Sequence, residues 1–259
     1  GLGPVVLCPA DHAELEALID PRPLPEIMDA EGGLGRVVFD EKRVPRDLAA
    51  LILAEPMQGE GGYVPGDPDY FRRIAEIADR HEILLQFDEV QTFARTGRLY
   101  ACEHFGIAPD IISLAKGAVV GATLGRADFE EYLEPGWHSN TWGGGKAIDV
   151  NFADATLDAL LNYREPVFDG RTPLENSTLK GVYLERLLDR LAERHPDLLV
   201  DHSGYGLMRG VTVRRREAIV EEAWRRGLKL LPCGYPGETA RLRLLFLADV
   251  LKKEIDDFG

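Results

Sequence analysis

An aspartate that ends one apolar run and a lysine that follows the next are the residues in this chain best suited to covalent chemistry. Asp88 closes Ile83-Leu84-Leu85-Gln86-Phe87-Asp88, and Lys116 follows Asp110-Ile111-Ile112-Ser113-Leu114-Ala115. A charge at the end of a buried run is costly unless it is paired, hydrogen-bonded or neutralised. A desolvated amine can form a Schiff base with an aldehyde, and a carboxylate can keep a pyridine nitrogen protonated; together they match the needs of pyridoxal phosphate. A structural ion pair would meet the same electrostatic demand, and on residue types alone both readings stand.

The elements that must position this pair read as an α/β fold. Leu48 to Glu55, closed by Pro56, is expected to be a buried strand, with a helix-entry signal before it at Val44-Pro45-Arg46-Asp47. Asp69 is expected to cap a helix that carries Phe71, Ile74, Ala75 and Ala78 on one face and ends at His81. Ile111 to Leu114 and Gly121 to Gly125 read as further strands. Buried strands joined by crossovers imply a parallel sheet covered on both faces, with ligands at the carboxyl ends of the strands, where Asp88 and Lys116 fall.

Further along, 135–145 reads as loop and Lys146 to Leu161 as helix, and a composition shift at Tyr163 to Thr172 suggests a linker. Beyond it come a long helix striped by Leu179, Val182, Tyr183, Leu187 and Leu191, a strand over Gly206 to Val213 and a helix over Glu217 to Arg226. Short strands at Leu228 to Leu231 and Leu242 to Leu247 complete the pattern. The expected division is an unassigned segment 1–43 with one helical candidate at Ala13 to Ile19, a large α/β domain 44–165, and a small α+β domain 166–259.

At 259 residues and 45% hydrophobic, the chain can bury a sizeable core. Its formal net charge of -14 disfavours nucleic-acid and anionic-membrane partners and favours small molecules. Cys8, Cys102 and Cys233 lie far apart with no C-x-x-C spacing, so neither a metal site nor a disulfide framework is expected, and a reduced, cytoplasmic setting is. No apolar run approaches the ~20 residues of a membrane span, and the N-terminus lacks the pattern of a signal peptide.

Four segments taken in order narrow the function: Glu55-Pro56-Met57-Gln58-Gly59-Glu60-Gly61-Gly62, Asp88-Glu89-Val90-Gln91-Thr92, Leu114-Ala115-Lys116-Gly117, and Asn140-Thr141-Trp142-Gly143-Gly144. In this order, from about Val44 to Phe258, the chain resembles the class III pyridoxal-phosphate-dependent aminotransferases, the ornithine, acetylornithine, 4-aminobutyrate and lysine 6-aminotransferase group of fold type I. The resemblance implies that Lys116 forms the Schiff base and shuttles the substrate proton, that Asp88 holds the pyridine nitrogen, that Val90 packs on the ring and that Gln91 reaches the phenolic oxygen. For Val90 an ordinary core position is the alternative. Thr141 would bind the cofactor phosphate from the neighbouring subunit, which implies a homodimer; otherwise it is a loop hydroxyl.

Glu60 resembles the family's gate residue, which pairs with an arginine, here Arg243. Arg241 is the alternative, and both could be exposed charges on an edge strand. The implied reaction moves an amino group from an ω-amino or basic amino acid to 2-oxoglutarate, with an amino-acid racemase on the same scaffold as alternative. The Asn140 to Gly144 loop is similar to lysine 6-aminotransferase, whereas Leu231 to Tyr235 is closer to 4-aminobutyrate enzymes.

The chain also departs from that pattern. Family members begin earlier, with a hydroxyl-bearing turn that cradles the phosphate and an aromatic that stacks on the ring. Residues 1–43 show neither, and Gly32-Gly33-Leu34-Gly35 lacks hydroxyls. The loop Gly117 to Gly121 is short, Gln91 to Gly97 is one residue short, and the chain ends within the expected last helix. A fragment, a subunit completed by another chain and a non-catalytic relative all fit these departures.

Overall fold

The computed structural model describes residues 19–20, 44–45, 50–134, 145–233, 240–248 and 250–258. The expected phosphate-turn candidate Gly32 to Gly35, the loop residue Thr141 and most of the helical candidate Ala13 to Ile19 lie outside them. Ile19 itself is in a strand: β1 (Ile19–Asp20) pairs in parallel with β2 (Val44–Pro45). The helix-entry signal at Val44 is thus corrected, because proline is tolerated at a strand end as readily as at a helix start.

The first large sheet is built from β3 (Leu51–Ala54), β6 (Leu84–Asp88), β7 (Ile111–Leu114) and β8 (Ala122–Gly125), in that spatial order. Between β3 and β6 lie the small hairpin β4 (Met57–Gln58) and β5 (Val64–Pro65), and α1 (Pro68–Arg80). The N-cap of α1 is Asp67, two residues before the expected Asp69: Asp67 Oδ1 accepts the Asp69 N–H at 2.8 Å, Pro68 opens the first turn, and the helix ends at His81 as its pattern indicates. Phe71, Ile74, Ile77 and Ala78 are buried against Leu85 and Phe87 of β6, and Phe71 stacks on Phe105 at 4.9 Å.

Two expectations about this sheet need correction. β3 is not a buried strand: it ends the described sheet, and alternation turns Ile52 and Ala54 toward the core while Leu51 and Leu53 stand 42% and 55% exposed. Pairing is parallel for β3–β6 and β6–β7 but antiparallel for β7–β8. The short link between β7 and β8, with its single 3-10 turn at Lys116–Ala118, cannot make the crossover of a dozen or more residues that a parallel return requires.

The second sheet is antiparallel throughout, in the order β11 (Leu231–Cys233), β12 (Arg241–Leu245), β10 (Met208–Val213), β9 (Leu199–Tyr205). The sequence reading missed β9, whose Asp-His-Ser-Gly composition hides a half-exposed strand. Helix α3 (Pro173–Arg194) opens with a capping box, Thr172 with Glu175, and covers the sheet. Its buried face centres on Ser177, Gly181, Leu184 and Leu188; of the expected stripe Tyr183, Leu187 and Leu191 are half-buried against this core, whereas Leu179 and Val182 are exposed. A glycine sits at 181 because an added Cβ would meet the Gly206 backbone at 2.4 Å.

Helix α2 (Ala147–Asn162) reaches the first sheet through Leu160, which packs with Phe93, Leu114 and Ala118. The expected linker at Tyr163 to Thr172 is a closed turn, with Glu165 bridged to Arg171 and Phe168 buried. Helices α4 (Arg216–Arg225) and α5 (Lys252–Phe258) complete the described elements. Among the described residues no helix is long and apolar enough to cross a membrane, and no cluster of side chains is suited to a metal ion.

Candidate active site

Parallel strands deliver their last residues to one edge of the sheet. Ala54 pairs with Phe87 and Asp88 with Ser113, so the chain beyond β3, β6 and β7 presents Glu55, Asp88 and Lys116 together. Asp88 is half-buried, and its Oδ1 accepts the Val90 N–H at 2.9 Å. Lys116 is exposed and holds a left-handed backbone, φ 50°, at the head of its 3-10 turn. A non-glycine residue there is strained, and Val119 at φ 70° repeats the strain at the end of the same turn. Among the described residues Asp88 and Lys116 form no ion pair with each other or with any other side chain.

Glu55 was not singled out in the sequence reading, although its place directly after β3 is the signal that could have found it. Its Oε2 accepts the Gly59 N–H at 2.6 Å. Burial pushes the Glu55 carboxyl up, the Gly59 bond draws it down, and the nearby Asp88 and Glu60 charges tip the balance upward against Lys116. Gly59 lies under the Gln91 amide, where a Cβ would fall 2.2 Å from Nε2. Gln91 Nε2 in turn donates to Glu60 at 3.3 Å.

Glu60 and Arg243 are brought together as the sequence implied: Arg243 Nη1 lies 2.5 Å from Glu60 Oε1. The Arg243 bond holds the Glu60 carboxyl below the usual carboxylate range. The Arg243 side chain is 13% exposed and that of Glu60 77%, so an exposed carboxylate covers a largely buried guanidinium. Arg243 also stands 5.7 Å from the centre of the Tyr63 ring, and its Nε is buried without a hydrogen-bond partner among the described residues. The edge-strand alternative fails, because β12 lies between β11 and β10. Arg241 is the more buried of the two but is committed elsewhere, to Gly62 O, Thr212 and Ser203.

Glu89 is the other residue the sequence reading missed. It is fully buried, and it accepts the Ala101 and Cys102 N–H groups, both at 2.9 Å, and the Thr92 hydroxyl. Period-two alternation puts it on the core side with Leu85 and Phe87, and that was the signal available. The Cys102 thiol beside it is pushed up to about 12 by burial and by Glu89, which rules it out as a nucleophile near neutral pH. Val90 is half-buried and lies outside the apolar clusters of the described residues, a position open to a ligand face.

A family model described as Aminotransferase class-III matches residues 24–257. The chain belongs to the class III aminotransferases. Acetylornithine aminotransferase of Synechocystis sp. is 38% identical over 194 residues, which cover 71% of this chain and 43% of that protein. The 5-aminovalerate aminotransferase DavT of Pseudomonas putida is 33% identical, covering 82% and 51%. Among solved structures, the lysine aminotransferase of M. tuberculosis superposes with a TM-score of 0.69 at 28% identity, over 80% of this chain and 47% of that one. The chain thus spans about half the length of the curated relatives it matches.

Class III aminotransferases are pyridoxal-phosphate enzymes of fold type I, and the mostly parallel first sheet conforms to part of that fold. The residues present fit the ring side of the cofactor. Among the described residues Asp88 keeps one oxygen unclaimed and the Lys116 amine has no hydrogen-bond or ion-pair partner, and Val90 offers an apolar surface. Thr141, expected at the phosphate, lies outside the described residues.

Proposed function

We propose that this chain carries the ring-binding and substrate-gating residues of an aminotransferase that moves an amino group from an ω-amino or basic amino acid, of the 4-aminobutyrate, ornithine or lysine type, to 2-oxoglutarate. The observation that carries this reading is that Asp88 and Lys116 stand at adjacent strand ends with their charges uncommitted, while the Glu60–Arg243 pair stands within electrostatic range of Lys116. Pyridoxal phosphate, when bound, supplies a conjugated ring that takes up the electron pair left as the substrate carbon loses its proton.

In this chain Asp88 holds a proton at the pyridine nitrogen, and its bond from Val90 N fixes the carboxylate's orientation. Lys116 Nζ would carry the proton from the substrate carbon to the cofactor carbon, and the opposite way in the reverse half of the cycle. Gln91, supported on Gly59, donates toward the phenolic oxygen. Arg243 binds a carboxylate of 2-oxoglutarate with two parallel N–H bonds once Glu60 turns away, and Glu60 neutralises it while the amine donor occupies the site.

Residues 44–165 would form the cofactor-binding part and 166–259 the smaller part. A second copy would contribute Thr141 to the phosphate. The exposed Ile148 and Phe152 of α2, one turn apart and 62% and 58% exposed, offer an apolar patch for such a homodimer. A cytoplasmic setting agrees with the buried free thiols of Cys102 and Cys233.

The absorbance spectrum after incubation with pyridoxal phosphate tests the reading. A Schiff-base band present in the native chain and lost in Lys116→Ala is expected; no band in either would sink it. Product analysis with and without 2-oxoglutarate then separates amino transfer, which needs the acceptor, from racemisation, which does not.

A further inference from the structure

Arg241 and Arg243 lie two apart on β12, so their side chains leave the same face of the strand. Arg243 reaches the Glu60 side chain, and Arg241 reaches the backbone two residues further on. Its Nε and Nη2 donate to Gly62 O at 3.1 and 3.0 Å, Nη2 also to Ser203 Oγ at 2.5 Å, and Nη1 to Thr212 Oγ1 at 2.8 Å. The Ser203 hydroxyl donates in turn to Tyr63 O at 3.0 Å. Two consecutive carbonyls of the Glu60 turn are therefore held by the second sheet. The approach is so close that a Cβ at Gly210 would fall 1.9 Å from Gly62 O. Arg241 is 7% exposed and has no carboxylate partner among the described residues, so its buried guanidinium is spent on this turn.

We propose that Arg241 is a positioning residue for substrate discrimination: it fastens the Glu60 turn to the second sheet, so that Arg243 is uncovered only by rotation of the Glu60 side chain and not by movement of the loop. This rests on the gate reading of Glu60 and Arg243. Within the turn itself, between β4 and β5, the backbone bonds among the described residues are Gly62 N to Gly59 O at 3.2 Å and Tyr63 N to Gln58 O at 2.9 Å. Without Arg241, Glu60 samples positions away from Arg243, and a dicarboxylate competes better for the guanidinium.

The test combines backbone hydrogen exchange with titration of glutarate, an unreactive dicarboxylate, on the full chain. Arg241→Met should speed exchange of the Gly62 and Tyr63 amides about tenfold, the loss of roughly one net hydrogen bond, and leave the β9–β10 ladder unchanged. It should also tighten glutarate binding severalfold where Glu60 is present, and leave it unchanged in a Glu60→Gln background, a non-additivity that general destabilisation would not produce. Ser203→Ala, a milder change, should show the same pattern at smaller size if Arg241→Met folds poorly. Unchanged exchange in both variants, or an equal gain in glutarate affinity in both backgrounds, overturns the proposal. If Glu60→Gln alone fails to improve glutarate binding, the gate reading falls, while the exchange data still decide whether Arg241 holds the turn.

Discussion

The two sheets handle charge in opposite ways. In the second sheet the buried Arg209 and Arg241 have fixed oxygen partners: Arg209 donates to Glu185 at 3.0 Å and to Gly206 O at 3.0 Å, and Arg241 to Gly62 O and the Ser203 hydroxyl. At the carboxyl edge of the first sheet, Asp88 and Lys116 keep uncommitted charge, and Glu55 sits among other carboxylates. Uncompensated charge near a core is destabilising, so its retention at one edge marks where a ligand is expected to complete the electrostatics. Glu89 sharpens the contrast within two residues: the carboxylate that faces the core is fully bonded, and its neighbour Asp88 is not.

The contrast predicts which variants lose activity and which lose stability. Lys116→Ala should reduce turnover by at least about 10²–10⁴-fold, the usual contribution of a positioned acid–base group, with no loss of thermal stability; a destabilised Lys116→Ala would mean the lysine is structural after all. Glu89→Ala should do the reverse and lower stability by about 1–3 kcal/mol for each orphaned N–H, read as a lower urea midpoint. Arg209→Ala, in the second sheet, should cost about 1–3 kcal/mol by orphaning the Gly206 carbonyl and leaving a cavity, with the half-exposed Glu185 adding little; a neutral result would show that the second sheet also carries dispensable charge.

Arg243→Ala bridges the two behaviours. It should weaken the half-reaction with 2-oxoglutarate by about 10–100-fold, the worth of one charge-assisted contact, and leave the amine-donor half-reaction nearly unchanged in single-turnover kinetics. Glu55→Gln should give the smallest effect. The glutamine keeps an acceptor for Gly59 N–H and removes a charge that Asp88 and Glu60 repel. Because the folded-state pKa of Glu55 is raised, the stability linked to its protonated form is present below the ordinary carboxylate value of about 4.3 and is lost as pH rises through the folded value. The variant should therefore be slightly more stable than the native chain at neutral pH, with the gap closing on acidification; a constant gap in urea midpoints would refute the linkage.

Much of this was legible in the residues, because the site hangs on strand ends that hydrophobic runs betray. Asp88, Lys116, and the Glu60–Arg243 pair were named from spacing and family pattern, and α1 from its apolar period. What escaped depended on tertiary context. The antiparallel β8 follows from a link too short to cross over, and β9 is polar because one of its sides is solvated. Leu184 and Leu188 were passed over because the buried face of α3 is set by the close crossing at Gly181, a backbone contact that no apolar stripe records. Arg241 and Arg243 look alike in sequence; only their hydrogen bonds show that one grips a backbone and the other a side chain.

Leu51 and Leu53 project from a strand whose outer N–H and C=O groups have no partner among the described residues. Such an edge is a template: any extended segment of similar length can add to it, and the two leucines give the newcomer an apolar surface to cover. The net charge of -14 repels other copies only weakly at close range, because salt screens it beyond about 8–10 Å, while strand addition acts at contact. Whether this chain stays in solution is therefore governed less by its acidity than by whatever lies along the outer side of β3.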